Sequence, residues 1–406
     1  MFIKNSIILF SCTLFLNIAG YVFHLFMGRM LGPEEYGILG SLQAIVYLML
    51  IPLNTIQTSI TNFVARFKAR NEYSKISYLL SDSLKKFALY GGILSIIFVI
   101  ISPLIASFFH IPSTTPLIFL GGFLFAAFMV AISRGLFQGL QNFWQLGVNY
   151  MTEGLTKFVI GIPIIAFLGM GVSGAILGGF TLALFVPFLL SLFVIIPLIR
   201  KQKEKFNTSK VYFYSIPVLI MMIVTTAIYT IDMILVKHFF TNTEAGYYAA
   251  IALIGKVIFF GSLSIAMVMF PRVAELQETK KNFKKTIRKA LAISALFCFG
   301  ITLVYFLLPK LAVSILFGSE YLSIAPLIGP FGIFMSLVSL TYLLSYYNIS
   351  IKKKKFLYPL TLLTILEAIL LIFFHQSITQ VVYILLCLGA VMFLSTFAIT
   401  KLQKNI

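Results

Sequence analysis

Charged residues are scarce in this chain. Only 11% of its 406 residues are Asp, Glu, Lys or Arg, and 12 acidic residues face 31 basic ones. About a quarter of an average soluble domain is charged, whereas 60% of this chain is hydrophobic and its mean hydropathy is +1.01. A water-soluble fold cannot bury so much apolar surface. The composition therefore excludes a soluble nucleic-acid-binding protein, despite the net charge of +19, and predicts an integral membrane protein.

Cysteine clusters and nucleotide motifs are also missing. The three cysteines, Cys12, Cys298 and Cys387, lie inside apolar runs and form no CxxC pair, so we expect neither a disulfide framework nor a metal site. No Walker A sequence occurs, so we expect no direct use of ATP and no cofactor. The first apolar run, 7–27, is longer than the apolar part of a signal peptide, and no small-residue cleavage site follows it. We expect this run to be the first membrane span.

Apolar runs long enough to cross a bilayer recur along the whole chain. A span needs about 20 apolar residues, and this criterion predicts an all-α integral membrane protein with twelve transmembrane helices. They cover residues 7–27, 38–63, 87–109, 116–136, 146–168, 172–198, 212–236, 247–270, 290–308, 325–347, 356–374 and 381–400.

The basic residues are distributed unevenly between the two sides of this topology. Only Arg29, Lys237 and Lys310 lie in the odd-numbered connections, and Lys157 and Lys256 lie within spans. Arg134 lies at the end of span 116–136 that leads into an even-numbered connection, and all other Lys and Arg residues lie in the even-numbered connections and at the chain ends. Cytoplasmic connections of membrane proteins carry such an excess. The pattern predicts that both the N and C termini are cytoplasmic.

The second half of the sequence faintly repeats the first. Glu34 corresponds to Glu244 at a shift of 210 residues, and the sequence VAR at 64–66 corresponds to VAE at 273–275 at a shift of 209. Six spans in each copy would insert both copies the same way up, which defines a parallel internal repeat. We therefore predict an N-lobe of spans one to six (1–200), a cytoplasmic linker (201–210) and a C-lobe of spans seven to twelve (211–406). Transporters place the substrate path between such halves.

Four segments resemble one transporter family in the same order. These segments are GRMLGPEEYGIL at 28–39, RGLFQGLQNF at 134–143, TAIYTIDMILV at 226–236 and GYYAAIALIGKVIFFGSLSIAMVMFPRVAEL at 246–276. They resemble the Wzx-type polysaccharide flippases of the multidrug/oligosaccharidyl-lipid/polysaccharide (MOP) exporter superfamily. The likeness covers nearly the whole chain, and the first segment is the most specific.

The resemblance implies a function in polysaccharide biosynthesis and export. It implies a multi-pass protein of the cell membrane, not an enzyme, that moves an isoprenoid-diphosphate-linked oligosaccharide from the cytoplasmic to the outer leaflet by alternating access. It further implies coupling to H⁺ or Na⁺, a monomer in the bilayer, and association with the machinery that polymerises the glycan. Two alternatives stay open: a cation-coupled multidrug exporter of the same superfamily, and a membrane glycan polymerase or ligase. The second is disfavoured because the predicted outer loops are short and offer few acid–base groups.

Polar side chains in two N-lobe spans are candidates for binding the sugar head group. Polar residues recur at helical spacing along one face of the second span, within residues 54–62, and form a polar stripe. The corresponding stretch of the C-lobe, LSIAMVMFP at 263–271, is nearly apolar. Polar faces of membrane helices must meet protein or water, and amides and hydroxyls suit sugar hydroxyls. Helix–helix hydrogen bonding is the alternative explanation. The head-group candidates are Lys157, Asn54, Gln57, Thr58, Thr61, Asn149 and Arg29.

Ionisable residues inside the predicted spans need a reason, because each costs roughly 2.5 to 3.5 kcal/mol on insertion scales. Glu153 and Lys157 are spaced i, i+4 and can pair on one helix face. Asp232 and Lys256 lie in adjacent spans and either pair with each other or take part in ion coupling. Glu367 has no partner in sequence. Asp232, Lys256, Glu153 and Glu367 are therefore candidates for ion coupling or for intramembrane pairing.

Overall fold

A computed structural model describes residues 2–200, 203–206, 216–278, 284–350, 353 and 355–402. Within these ranges the chain is helical and contains no strand. Nine of the described helices are long and apolar enough to cross a membrane. The prediction of an all-α membrane protein is confirmed; the count of twelve spans and the cytoplasmic termini stay predictions. Most of the predicted linker 201–210 lies outside the described residues.

The chain divides into two compact units, Met1–Ile223 and Val224–Ile406. The predicted lobes and their boundaries stay predictions. The helices of the first unit are α1 (Phe2–Ala69), α2 (Tyr73–Phe108), α3 (Thr115–Gly139), α4 (Phe143–Thr156), α5 (Ile162–Leu168), α6 (Gly171–Ile176) and α7 (Ala183–Ile199). Two π-helical turns, Lys157–Gly161 and Leu177–Leu182, join α4 to α5 and α6 to α7.

Helix α1 contains the first two predicted spans and breaks between them. Gly32 has φ 68° and ψ 175°, which is not helical. A glycine adopts a positive φ without steric cost, and Pro33 disfavours helical geometry in the residue before it. The sequence Gly32-Pro33 therefore separates two helical halves of α1, in the connection predicted between spans 7–27 and 38–63.

Helix α3 packs very closely against the second half of α1. A Cβ atom added at Gly135 would lie 2.9 Å from the carbonyl oxygen of Gln57, and one at Gly139 would lie 2.8 Å from that of Thr61. The two glycines are four residues apart and share one helix face, the small-residue spacing that lets membrane helices approach closely. This contact fixes α3 on α1.

The two π-helical turns pack against each other through glycine. A Cβ atom added at Gly178 would lie 2.5 Å from the Cα of Gly161, and one at Gly179 would lie 2.2 Å from the ring of Phe23. Only glycine leaves room for this contact. The helices around residues 157–182 are therefore held together at their two π-turns.

A short segment, 203–206, packs on the start of α2. The ring of Phe206 lies 4.9 Å from that of Phe67 and 5.8 Å from that of Tyr78. Glu204 forms an ion pair with Lys75 at 3.3 Å, and Lys203 Nζ donates to Ser81 Oγ at 3.0 Å. Aromatic and polar contacts thus anchor this part of the predicted linker to the first unit.

The second unit is also entirely helical where it is described. Its helices are α8 (Ile216–Ala227), α9 (Ile231–Phe239), α10 (Asn242–Glu278), α11 (Lys284–Leu307), α12 (Pro309–Leu316), α13 (Ala325–Ser350), α14 (Leu357–Phe373) and α15 (Ile378–Leu402), with a 3₁₀ turn over Ser319–Ile324. Thr241 and Glu244 form a capping box at the start of α10, because the Glu244 carboxylate accepts from the Thr241 N–H at 3.1 Å and the Thr241 hydroxyl accepts from the Glu244 N–H at 3.3 Å. Helices α10 and α13 pack together at the centre of this unit.

Candidate functional site

A three-residue ionic network lies inside the first unit. Glu153 on α4 accepts a hydrogen bond from Arg134 Nη2 on α3 at 2.5 Å and lies 3.6 Å from Lys157 Nζ. The side chains of Arg134, Glu153 and Lys157 are 12%, 13% and 15% exposed. The predicted proximity of Glu153 and Lys157 is seen, and a third member, Arg134, joins them. Two cations around one carboxylate leave the network with a net charge of +1.

Arg134 is held rigidly by its other neighbours. Its Nε donates to Asn149 Oδ1 at 2.7 Å, and its guanidinium group lies over the ring of Tyr150, 4.5 Å from the ring centre. Asn149 Nδ2 in turn donates to the carbonyl oxygen of Pro187 at 3.1 Å and to Ser191 Oγ at 3.0 Å. Asn149 is buried, so the structure places this predicted sugar ligand as the residue that orients Arg134.

Lys157 is the first residue of a π-helical turn. Such turns are rare and occur frequently at functional sites. Gly154 brings α4 against the first half of α1, because a Cβ atom there would lie 2.8 Å from the ring of Phe15. As a result Lys157 Nζ lies beside Gly20, at 3.8 Å from the position of an added Cβ atom, and 6.0 Å from the ring centre of Phe180. The π-turn and two glycines thus position the ammonium group.

The polar stripe of the second half of α1 divides into two parts. Gln57 Nε2 donates to Gln138 Oε1 at 3.2 Å, and Thr61 Oγ1 donates to the same oxygen at 3.3 Å. These two side chains connect α1 to α3, as the helix–helix alternative expects. Asn54 and Thr58 are exposed instead. Exposed polar side chains within an apolar helix indicate a face that meets water.

Gln138 and Arg134 extend the polar stripe to the ionic network. The two residues are four apart on α3, so their side chains lie on the same face of the helix. A continuous polar path therefore runs from α1 through α3 to Glu153 on α4. Arg29, the remaining head-group candidate, is exposed and lies three residues before the break at Gly32.

A second group of ionisable side chains is buried in the second unit. Asp232 on α9 accepts a hydrogen bond from the hydroxyl of Tyr248 on α10 at 2.6 Å, and both residues are almost fully buried. Lys256 lies eight residues after Tyr248 on α10 and interacts electrostatically with Asp232. Its Nζ lies 5.7 Å from the ring centre of Tyr229. The direct partner of Asp232 is thus a tyrosine hydroxyl.

Glu367 on α14 belongs to the same group. It is 0% exposed, and in the part of the chain that the structure describes neither of its carboxylate oxygens has a hydrogen-bond donor. Helix α14 packs against α9, and Glu367 interacts electrostatically with Asp232. A buried carboxylate without a donor is stable only with a proton or another cation. Asp232 thus interacts electrostatically with a second buried carboxylate, Glu367, and with one ammonium group, that of Lys256.

Sequence reasoning missed two residues of these sites. Arg134 entered the prediction only as one of the positive charges that indicate sidedness. Its spacing of four residues from Gln138, which places both side chains on one helix face, could have shown that it belongs to the polar stripe. Tyr248 gave no signal, because its partner Asp232 lies 16 residues away on another helix. Groups of three or more His, Cys, Asp or Glu side chains able to hold a metal ion are absent from the described ranges.

Comparisons with known proteins agree with this architecture. A family model described as "Polysaccharide biosynthesis protein" matches residues 26–326. The chain is 25% identical over 324 residues, 73% of each chain, to an uncharacterized membrane protein of Methanocaldococcus jannaschii.

Solved transporter structures share the fold. One is an inward-facing MATE-family multidrug resistance transporter of the MOP superfamily, with a TM-score of 0.79, 13% identity and coverage of 96% of this chain and 95% of that one. Another is the lipid II flippase MurJ in an inward closed conformation, with a TM-score of 0.74, 20% identity and coverage of 97% and 87%. A MOP superfamily transporter from Pyrococcus furiosus, described as having a binding pocket of reverse polarity, gives a TM-score of 0.65, 13% identity and coverage of 99% and 95%.

Proposed function

Since the chain belongs to the polysaccharide biosynthesis protein family of multi-pass membrane proteins with the MOP transporter fold, we propose that it is a lipid-linked oligosaccharide flippase. It moves an isoprenoid-diphosphate-linked oligosaccharide from the cytoplasmic to the outer leaflet of the cell membrane by alternating access. It works as a monomer and catalyses no covalent chemistry. It hands its substrate to the machinery that polymerises the glycan.

The observation that carries this proposal is the net positive network in the first unit. Arg134 and Lys157 share one carboxylate, that of Glu153, and all three side chains are partly accessible. A diphosphate is an anion, and charge-assisted hydrogen bonds from Arg and Lys are the strong way to hold it. The sugars attached to it then meet the exposed Asn54, whose amide can both donate and accept, and the exposed Thr58, whose hydroxyl donates to the Asn54 carbonyl oxygen and can accept.

The remaining head-group candidates support this site in different ways. Gln57 and Thr61 position Gln138, and Asn149 positions Arg134. Arg29, at the end of the first half of α1, is an exposed cation that a departing anionic substrate can contact.

Ion coupling belongs to the second unit in this proposal. Asp232 and Glu367 are buried carboxylates on packed helices, and Glu367 has no hydrogen-bond donor within the described residues. Uptake of H⁺ or Na⁺ by this pair changes its charge at a place where an uncompensated charge is expensive. Such a change can bias the equilibrium between two conformations. Glu153 takes the pairing role in this proposal, because its carboxylate contacts Arg134 and Lys157.

A multidrug resistance transporter of the MATE family has the same fold, and a cation-coupled multidrug exporter is therefore the competing function. A site for cationic drugs requires a surplus of negative charge, whereas the network in the first unit has a surplus of one positive charge. The charge of this network favours an anionic substrate. If deletion of the gene leaves the lipid-linked glycans unchanged and makes the cells sensitive to cationic drugs, the exporter is favoured.

Deletion of the gene and extraction of lipid-linked glycans test the proposal. We expect one lipid-linked oligosaccharide to accumulate and its polymer to disappear from the cell surface. Lys157→Ala and Asn54→Leu should fail to restore export, whereas Lys310→Ala should restore it, because Lys310 is an exposed lysine of α12. Full export by the first two variants at wild-type protein levels would refute the assignment of the site.

A further inference from the structure

The carboxylate of Glu153 contacts its two cations unequally. Its Oε2 accepts a short hydrogen bond of 2.5 Å from Arg134, while its Oε1 lies 3.6 Å from the ammonium nitrogen of Lys157. The first contact is a direct charge-assisted hydrogen bond, and the second distance exceeds hydrogen-bonding distance. Glu153 is therefore bound firmly to Arg134 and loosely to Lys157.

Both cations keep donors that this contact does not use. A lysine ammonium group has three N–H donors, and Arg has five. Within the described residues, Lys157 Nζ makes only the contact at 3.6 Å with Glu153 and a distant one with the ring of Phe180. Arg134 uses Nε on Asn149 and Nη2 on Glu153, which leaves its Nη1 donors. A second anion can therefore bind both cations.

Lys157 needs a counter-charge whenever no substrate is bound. An ammonium group inside a membrane bundle without a counter-charge is costly, and Glu153 supplies this charge from the preceding helical turn. A flexible lysine stem lets the ammonium group leave one anion for another without movement of the backbone. Arg134, by contrast, is fixed by Asn149 and Tyr150.

We infer that Glu153 is an internal counter-anion for Lys157, and that the diphosphate of the lipid-linked substrate displaces it. This inference rests on the proposed function and assigns Arg134 as the second diphosphate-binding residue. When the diphosphate enters, Lys157 and the free Nη1 donors of Arg134 turn to it, while Glu153 keeps its hydrogen bond to Arg134. When the diphosphate leaves, Glu153 again neutralises Lys157. The competition weakens binding and thereby favours release of the substrate.

A binding measurement on purified full-length protein in detergent tests the exchange. The probes are geranylgeranyl diphosphate, geranylgeranyl monophosphate and geranylgeraniol, with free glucuronate as a competitor that represents an acidic sugar. We expect Glu153→Gln to bind the diphosphate about tenfold more tightly than the wild type, because the competing charge is removed while a hydrogen-bond acceptor for Arg134 stays. Lys157→Met should lose most of the affinity, and the double variant should bind no better than Lys157→Met.

Control variants separate the exchange from simpler effects. Glu34→Gln makes the same change of charge at an exposed position, and we expect it to leave the affinity unchanged. Glu153→Asp keeps the charge but withdraws it from Lys157, so we expect it to bind the diphosphate more tightly than the wild type but less tightly than Glu153→Gln. This variant tests the inference if Glu153→Gln folds poorly. The inference would be overturned if Glu34→Gln raised the affinity for the diphosphate as much as Glu153→Gln does. It would also be overturned if Glu153→Gln raised this affinity equally when combined with Lys157→Met.

The same experiment distinguishes this inference from the proposed function. If the wild type binds the diphosphate and Glu153→Gln, with an unchanged melting temperature, binds it equally or more weakly, only the counter-anion role is wrong. If the wild type binds no diphosphate lipid but binds cationic drugs, the proposed function itself is wrong. If glucuronate itself binds and the diphosphate lipid does not, the site recognises an acidic sugar and the inference also fails.

Discussion

The close contact between α1 and α3 makes a quantitative prediction about Gly135. A Cβ atom at this position would lie 2.9 Å from the Gln57 carbonyl oxygen and 2.9 Å from the Cβ of Ile60. Neither atom is at the end of a flexible side chain, so Gly135→Ala must push the two helices apart. The same movement lengthens the hydrogen bond from Gln57 to Gln138.

The expected magnitude follows from two opposing effects. Overpacking of a tightly packed contact costs about 1–3 kcal/mol, whereas replacing a helical glycine by alanine gains about 0.5–1 kcal/mol. We therefore expect Gly135→Ala to lower the free energy of unfolding by about 1–2 kcal/mol. Gly92→Ala in α2 is the matched control, because nothing lies within 4 Å of a Cβ atom at that position.

Thermal unfolding of the purified variants in detergent measures both effects. We expect the melting temperature to fall by roughly 2–6 °C in Gly135→Ala, and to stay level or rise slightly in Gly92→Ala. A melting temperature of Gly135→Ala equal to or above that of Gly92→Ala would show that α3 does not pack on α1 as described.

Two further predictions concern single contacts. Phe206→Ala removes two ring contacts, each worth about 0.5–1.5 kcal/mol, so trypsin should cleave after Lys205 at least about threefold faster than in the wild type. The control Phe193→Ala, at an 80% exposed position, should leave the cleavage rate unchanged. Equal cleavage rates in both variants would contradict the anchoring of the 203–206 segment. Tyr248→Phe removes the hydrogen bond to a charged Asp232 carboxylate and should lower the free energy of unfolding by about 1.5–3 kcal/mol, as measured by unfolding of the purified protein in detergent. A decrease below about 0.5 kcal/mol would show that this hydrogen bond does not hold Asp232.

The features that the sequence could predict are local or compositional. Apolar runs predict the helices, the connection between the runs 7–27 and 38–63 predicts the break in α1, and the i, i+4 spacing predicts that Glu153 lies near Lys157. Each signal depends on residues close together in the chain. The family resemblance, read from the segments 28–39, 134–143, 226–236 and 246–276, is confirmed by the family model.

The features that the sequence could not predict depend on helix packing. Arg134 reaches Glu153 only because α3 and α4 are neighbours, and a separation of 19 residues along the chain carries no periodic signal for this contact. Asn149 has the composition of a sugar ligand, but its amide is occupied by Arg134, Pro187 and Ser191. Polarity alone does not distinguish a residue that binds substrate from one that positions its neighbour.

The π-helical turns also escaped prediction. A π-turn adds one residue to a helical turn, and the apolar run around Lys157 predicts a helix without distinguishing a π-turn from an α-helical one. The contact between Gly161 and Gly178 that accompanies the turns becomes visible only when the two helices are side by side.

Transport by the purified protein tests the central claim most directly. The protein is reconstituted in liposomes that contain a fluorescent oligosaccharide linked through a diphosphate to an isoprenoid, and the fraction of dye accessible to external dithionite is followed in the presence of an H⁺ or Na⁺ gradient. The wild type and Lys310→Met should transfer the lipid between leaflets, and Lys157→Met should not. Equal transfer by Lys157→Met, or no transfer by the wild type while it exports cationic drugs, would contradict a flippase that holds its diphosphate at Lys157.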